Sequence, residues 1–282
     1  MKHQLKWVGL VLIFTSSIFA QSGLEEKLSG YVESYAHGYI KPFATAFTSN
    51  LNSGLFTEAK VEEGLNIDLR LSGMFFVIGD DQKTFTAELP DPNNPLNTII
   101  SEEATIFGEV GDDAIFDDLS VMPLAAPTLT IGSFMGTEVS LRYLKASIDD
   151  VGDISLNGYG IRHDVGQYIP LFPLDVSVGF FAQKFSAGDL IESKMTSLHI
   201  ELGYEILLFD VLAGFSTETA TTDLHYTYEN AFGNEEDIDF SFDTDQTRFM
   251  LGFGIDFWLF RLNTMMYKGD QTTYVASINI GI

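Results

Sequence analysis

An all-β fold is predicted for this sequence: an antiparallel, transmembrane, up-and-down β-barrel of about ten strands with an N-terminal helical segment. Three observations predict it. Long segments alternate apolar and polar residues with a period of two, which marks a strand with one apolar and one polar face. Connections between the segments alternate between tight, apolar turns and polar, mostly acidic loops, as in barrels with short turns at one end. Residues 271–282 (Q-T-T-Y-V-A-S-I-N-I-G-I) form a strand of the same kind, with Tyr274, Ala276, Ile278, Ile280 and Ile282 on one parity and Ser277, Asn279 and Gly281 on the other. Such a last strand is expected to close the barrel against the first and leave no free edge.

Residues 1–20 read as a secretory signal peptide. Lys2 and Lys6 give a positive start, and W-V-G-L-V-L-I-F at 7–14 is an apolar core too short to cross a bilayer as a helix. Ala20 ends the segment, although Ile18 stands where a small residue is preferred. The alternative is an N-terminal membrane anchor. The expected organisation is signal peptide 1–20, N-terminal helical segment 21–60 and barrel 61–282, in the cell outer membrane. No later run of 18 or more apolar residues offers a transmembrane helix.

Cysteine is absent from the 282 residues, so disulfides and thiol chemistry are excluded. The formal net charge of −25 argues against nucleic-acid binding. Hydrophobic residues make up 45% of the chain, with 24 Phe, too many for a disordered acidic protein. The charge must therefore be concentrated in loops.

Residues 24–51 carry Leu24, Leu28, Tyr31, Val32, Tyr35, Tyr39 and Ile40 at helical spacing. Pro42 is expected to break or kink this helix. Phe43, Phe47 and Leu51 continue as a second short piece that ends at Asn52-Ser53-Gly54. The segment is either a surface helix or a plug inside the barrel.

From residue 64 the period is two. In 64–78, Leu65, Ile67, Leu69, Leu71, Phe75 and Val77 oppose Asn66, Asp68, Arg70 and Ser72. The same pattern recurs in 137–146, 175–185, 197–204, 247–257 and 260–267, and less regularly in 154–163 and 211–228. Counting back from the end, the connections are 268–272, 258–260, 230–246, 207–210, 186–193, 168–174, 149–153, 132–136 and 90–127. The long 230–246 and 90–127 are acidic; Trp258, Phe257, Phe260, Phe172 and Phe209 fall at the other end, where an aromatic girdle belongs. Ten strands result. A count of twelve requires 84–89 and 104–110 to cross as well.

The polar parity carries Asp68, Arg70, Arg142, His199, Glu201, Arg248, Asp256 and Arg261. These are expected to line the lumen, either setting selectivity or pairing with one another, since buried charges need partners. A soluble lipocalin-like barrel, apolar inside, fits the same alternation and stays open as an alternative.

The stretch 39–71, with its proline-bearing helix, then L-N-S-G-L-F-T-E-A-K, then a strand beginning G-L-N-I-D-L, resembles an uncharacterised, unknown-function family of exported Bacteroidetes-type outer-membrane barrel proteins. Tyr168-Ile169-Pro170 and Pro173-Leu174-Asp175 fit the same family. The helix-then-barrel order is distantly similar to the long-chain fatty-acid transporter group, but the chain is too short for that group's fourteen strands. The resemblance implies a barrel fold and supplies no catalytic residues.

No nucleophile elbow, HExxH, phosphate loop or dinucleotide fingerprint is present, and an enzyme is not expected. Gly158-Tyr159-Gly160 is strand glycine. His199 and Glu201 lie on one strand face as a lumenal polar pair or, less simply, half a metal site. The acidic stretches 101–118 and 233–245 contain no Lys or Arg and lack the spacing of a dedicated calcium loop. No cofactor is expected beyond loosely bound Ca²⁺ or Mg²⁺ there. The expected partners are outer-membrane lipid and the barrel-assembly machinery, with no nucleic acid and an unidentified solute. Three functions remain open: a narrow or plugged channel or transporter for a small or hydrophobic solute, a structural or assembly anchor for surface proteins, and a soluble lipid-binding barrel.

Overall fold

The computed structural model describes residues 24, 27–29, 31, 33–91, 94–111, 114–148, 152–169, 173–229 and 233–281. The signal peptide, Phe172, Asp112, Asp113 and Ile282 lie outside them. The elements are helix α1 (Glu33–Leu51) and strands β1 (Asn66–Val77), β2 (Thr84–Asp91), β3 (Asn94–Ala104), β4 (Val121–Phe134), β5 (Thr137–Ile148), β6 (Gly152–Asp164), β7 (Asp175–Ala187), β8 (Ile191–Ile206), β9 (Phe209–Glu229), β10 (Glu235–Phe257), β11 (Phe260–Lys268) and β12 (Thr272–Gly281).

Ten strands, β1 and β4 to β12, close an antiparallel barrel in chain order. The last strand closes it against the first, from Asp68↔Gly281 to Val77↔Thr272. Strands β2 and β3 form a separate hairpin. The 84–89 stretch is thus a strand outside the wall, and the ten-strand reading holds.

At one end three of the four strand connections are two-residue turns, the fourth being residues 165–174 between β6 and β7. Met135, Leu207 and Trp258 each sit there at positive φ (53°, 60° and 58°), the conformation such a hairpin turn imposes. Trp258 is 95% exposed. This turn end also carries Phe257, Phe260 and Phe209, all exposed.

The two faces of the wall exchange character along its height. In the half next to the turns the apolar parity points outward: Leu69, Val139, Phe180, Leu202, Phe215 and Phe253 are exposed. The polar parity points inward there, with Arg142, Ser197, His199, Glu201, Glu218 and Arg248 buried. In the half next to the loops the assignment reverses on β7 to β10. There Phe185, Met195, Ala220 and Leu224 point inward and are buried, while Thr219, His225, Asp243 and Asp245 face out; on the paired strands β1 and β4 the outward parity stays apolar up to Val77 and Val121. On β10 the outward apolar run Phe249, Leu251, Phe253, Ile255 and Phe257 covers about 26 Å of strand at ~3.3 Å per residue.

Helix α1 occupies the interior of the loop half. Tyr39, Ile40, Phe43, Ala44 and Phe47 are buried in one cluster with Leu124, Phe185 and Met195. Phe47 packs on Phe185 with ring centroids 4.4 Å apart. The expected break at Pro42 does not occur: one helix runs through it. Burial of both halves against the wall outweighs the ~3 kcal/mol cost of an internal proline.

Two expected loops prove to be strand. Residues 235–246 belong to β10 and pair with β9 as far as Glu235↔Glu229. Alternating side chains of opposite faces, with Phe240 and Phe242 among the acids, allow this despite the charge. Residues 121–127 belong to β4, although Pro123 and Pro127 read as punctuation.

Candidate functional site

After Leu51 the chain leaves the helix and crosses the turn half of the lumen without regular structure. Gly54, at φ +63°, makes the bend in a position where a side chain is strained. Residues 51–57 are all buried. Irregular backbone in such a place has no ladder partner, so its carbonyls need donors from side chains. The guanidinium group, with five donors in a rigid fork, is suited to the task.

All five arginines of the chain lie on the inner parity and turn toward this segment. Arg142, from β5, donates through Nη1 to Leu51 O at 2.7 Å and through Nη2 to Ser53 O at 3.3 Å and Gly54 O at 3.1 Å. Arg248, from β10, donates to Ser49 O at 3.2 Å and Ser53 Oγ at 3.0 Å, and pairs with Glu218 at 2.7 Å. Arg70, from β1, donates to Leu55 O and to Thr57 Oγ1 at 3.1 Å. Arg162, from β6, donates to Glu58 O and to Lys60 O at 2.9 Å. Arg261, from β11, pairs with the Glu58 carboxylate and with Asp256 at 2.5 Å. Gln183 adds a bond to Leu51 O at 2.9 Å, and Tyr267 accepts from Gly54 N at 3.0 Å. Residues 49–60 therefore form a plug held by wall side chains.

The chain belongs to a family of unknown function, DUF6588. The family match spans residues 1–282. No curated protein matches the chain. Among solved structures, the chain is similar to OmpT, an outer membrane protein of Vibrio cholerae, at 9% identity and TM-score 0.29, covering 78% of this chain and 98% of that one. It is similar to the translocator domain of the autotransporter NalP from Neisseria meningitidis at 10% identity and TM-score 0.32, covering 88% and 96%. It is also similar to the Ralstonia pickettii toluene transporter TbuX at 8% identity and TM-score 0.23, covering 90% and 98%.

In this family member the eight residues singled out from sequence divide into two groups. Arg70, Arg142, His199, Glu201 and Arg248 are buried around the plug. The His199 ring meets the Phe56 ring edge-on at 5.2 Å, and its Nε2 bonds Ser197 Oγ at 2.6 Å. Glu201 lies 3.7 Å from Arg162 and accepts from Ser177 at 3.1 Å. Asp68, Asp256 and Arg261 are only half-buried. They line a 490 Å³ cavity at the turn-end mouth with Glu58, Arg162 and Trp258. Lys60 and Glu205 pair at 3.0 Å and are half-exposed.

Sequence reasoning missed Arg162, Glu138, Gln183 and Glu218. Arg162 pairs with Glu138 at 2.8 Å; Arg162 sits in the less regular segment 154–163, whereas Glu138 shares the regular segment 137–146 with Arg142. Their signal was available: each shares the parity of a named arginine across the register, as Glu138↔Arg162 and Arg142↔Gly158↔Gln183.

The acidic stretch 101–118 takes partners from the N-terminal segment. Glu109 pairs with Lys27 at 2.5 Å and accepts from Tyr39 at 2.9 Å, while Glu103 accepts from Tyr35 at 3.4 Å. In 233–245 the outward acids bond across to β9, as Thr221 to Asp243 at 2.7 Å and His225 to Asp239 at 2.6 Å.

Two inward glycines give the plug room. A Cβ on Gly179 would stand 2.5 Å from the Phe56 ring, and one on Gly203 2.7 Å from Ala59 Cβ. Gly179→Val is accordingly expected to unseat Phe56 and cost about 1–3 kcal/mol by overpacking. A lower midpoint for heat-dependent gel migration, with strand content retained by circular dichroism, checks this; an unchanged midpoint contradicts the seating.

Proposed function

We propose that this protein is an outer-membrane barrel acting as a plugged, gated channel or transporter for a small solute. One observation carries the reading. The segment filling the lumen is attached through side-chain hydrogen bonds and ion pairs and not through a β-ladder, so it can shift without breaking a strand pair. The outward apolar band of the turn half supports a bilayer setting, because a soluble barrel would expose that whole band to water. The signal-peptide reading of residues 1–20 supports export.

The test is a lock. An ideal Cβ on Gly54 lies 3.3 Å from Ser72 Cβ, close to the spacing a disulfide needs. The chain has no cysteine to compete. In planar bilayers the intact protein is expected to show openings. The Gly54→Cys/Ser72→Cys variant should lose them when oxidised and regain them when reduced. Silence in the intact protein and in both redox states of the variant would sink the reading.

A second reading has its own observation. Strands β9 and β10 continue beyond the apolar band as a polar ribbon bearing Asp237, Asp239, Asp243 and Asp245, which suits a surface anchor for a protein partner. A partner co-purifying in fixed ratio from mild detergent would favour it.

A further inference from the structure

Among the described residues, one barrel seam departs from continuous pairing. Between β4 and β5 the register runs from Phe134↔Thr137 only as far as Leu129↔Leu141. Strand β4 continues to Val121 and stays paired with β1 to Val77↔Val121, and β5 continues to Ile148 and stays paired with β6. Between them the wall is split from about Thr128 and Arg142 to the loop end.

The sequence of β4 explains the split. Ile78 N donates to Ser120 O at 3.0 Å at the end of the β1–β4 seam. Even-numbered β4 residues therefore turn their backbone groups toward β1, and odd-numbered ones turn theirs toward β5. Pro123 and Pro127 are both odd. Two of the three donors at 123, 125 and 127 are missing on the β5 side alone, and proline in a sheet belongs on such an edge.

The split opens the interior. Leu144 and Ala146 are inner-parity residues yet half-exposed, whereas Leu156 and Ile154, directly opposite on β6, are buried. Leu144 packs on the cluster holding Phe43, Phe47 and Phe185. Arg142 Nε donates to Thr128 Oγ1 at 3.0 Å and forms the sill.

We infer that this split is a lateral portal through which an uncharged, lipid-soluble small molecule passes between the bilayer and the aromatic cluster at α1. The inference rests on the membrane-barrel reading above and names the kind of solute it moves. The chemistry of the margins selects that solute. The β4 margin reads V-M-P-L-A-A-P at 121–127, without a charge or a hydroxyl. On the β5 margin the Arg142 nitrogens are all engaged, with Thr128, Gln183 and the plug carbonyls. Lys145 faces outward, 3.6 Å from Asp153. Among the described residues of the two margins no free cation is thus offered to a carboxylate, and the outer lips, Val121, Leu141 and Tyr143, are exposed apolar or aromatic surface.

The test uses the full chain in liposomes with an uncharged aryl diazirine dissolved in the lipid. After illumination, labelled peptides are located by mass spectrometry. Label is expected on α1 as well as on the outward Phe253. Extending the register places Ala126 opposite Leu144, so oxidised Ala126→Cys/Leu144→Cys closes the split. Pro123→Val/Pro127→Val restores the donors by a route that needs no disulfide. Both should lower α1 labelling at least tenfold and leave Phe253 labelling unchanged, with heat-modifiable migration confirming the barrel. Label confined to outward residues in the intact protein, or undiminished α1 label in the closed variants, overturns the portal. Conductance is scored separately: α1 labelling without openings keeps the portal and removes the ion-conducting gate, and openings without α1 labelling do the reverse.

Discussion

Arg248→Met is expected to destabilise the barrel by about 3–5 kcal/mol and to loosen the plug. Arg248 and Glu218 are each 1% exposed and pair at 2.7 Å. The guanidinium also lies 4.7 Å from the Tyr267 ring centre and donates to Ser49 O and Ser53 Oγ. Removing it leaves a buried carboxylate without its countercharge, the costly half of breaking an ion pair. It also leaves plug groups without donors, at about 1–3 kcal/mol for each one that finds no new partner. Urea unfolding in liposomes measures the loss, and planar-bilayer recordings should show longer openings. The double variant Glu218→Met/Arg248→Met removes the orphaned charge and should recover most of the stability while the openings persist. A single variant as stable as the parent would show that the pair is not buried in the membrane-inserted protein.

Phe253→Arg is expected to cost about 2–4 kcal/mol, the penalty for a cation at the bilayer midplane on the outside of a barrel. Phe253 is the central member of the outward apolar run on β10 and is exposed. Thr221→Arg, outward on β9 beyond the exchange of faces and opposite Asp243, should change stability by no more than about 0.5 kcal/mol. The contrast between the two positions locates the bilayer boundary. Equal effects at both would remove the membrane assignment of the turn half.

Most strands were legible in the sequence because each shows its period over more residues than chance alternation provides. The ones misread share a cause. Residues 235–246 and 121–127 carry charge or proline, which ordinarily mark loops, and their strand character comes from long pairing with β9 and β1. Pro42 was misread for a similar reason, since packing holds the helix through it. The arginines of the most regular strands were legible as lumenal candidates. Arg162 was not, because its strand alternates with glycines and its partner Glu138 is remote in sequence.

By itself the sequence determined the alternation, a wall of about ten strands and the closing role of the last strand. Each follows from residue type and local backbone chemistry. Only the tertiary structure decided which parity faces inward. Alternation has period two and is symmetric between faces, so it cannot distinguish a lipid-facing barrel from a lipocalin-like one. The choice depends on what fills the lumen, and here that changes with height. Around α1 the wall is apolar inside, because a helix buries its own backbone groups and presents side chains. Around residues 51–60 it is polar inside, because irregular backbone needs donors. The contacts that settle this join Leu51 to Arg142 and Ser49 to Arg248, positions too far apart in the chain for any local pattern to connect.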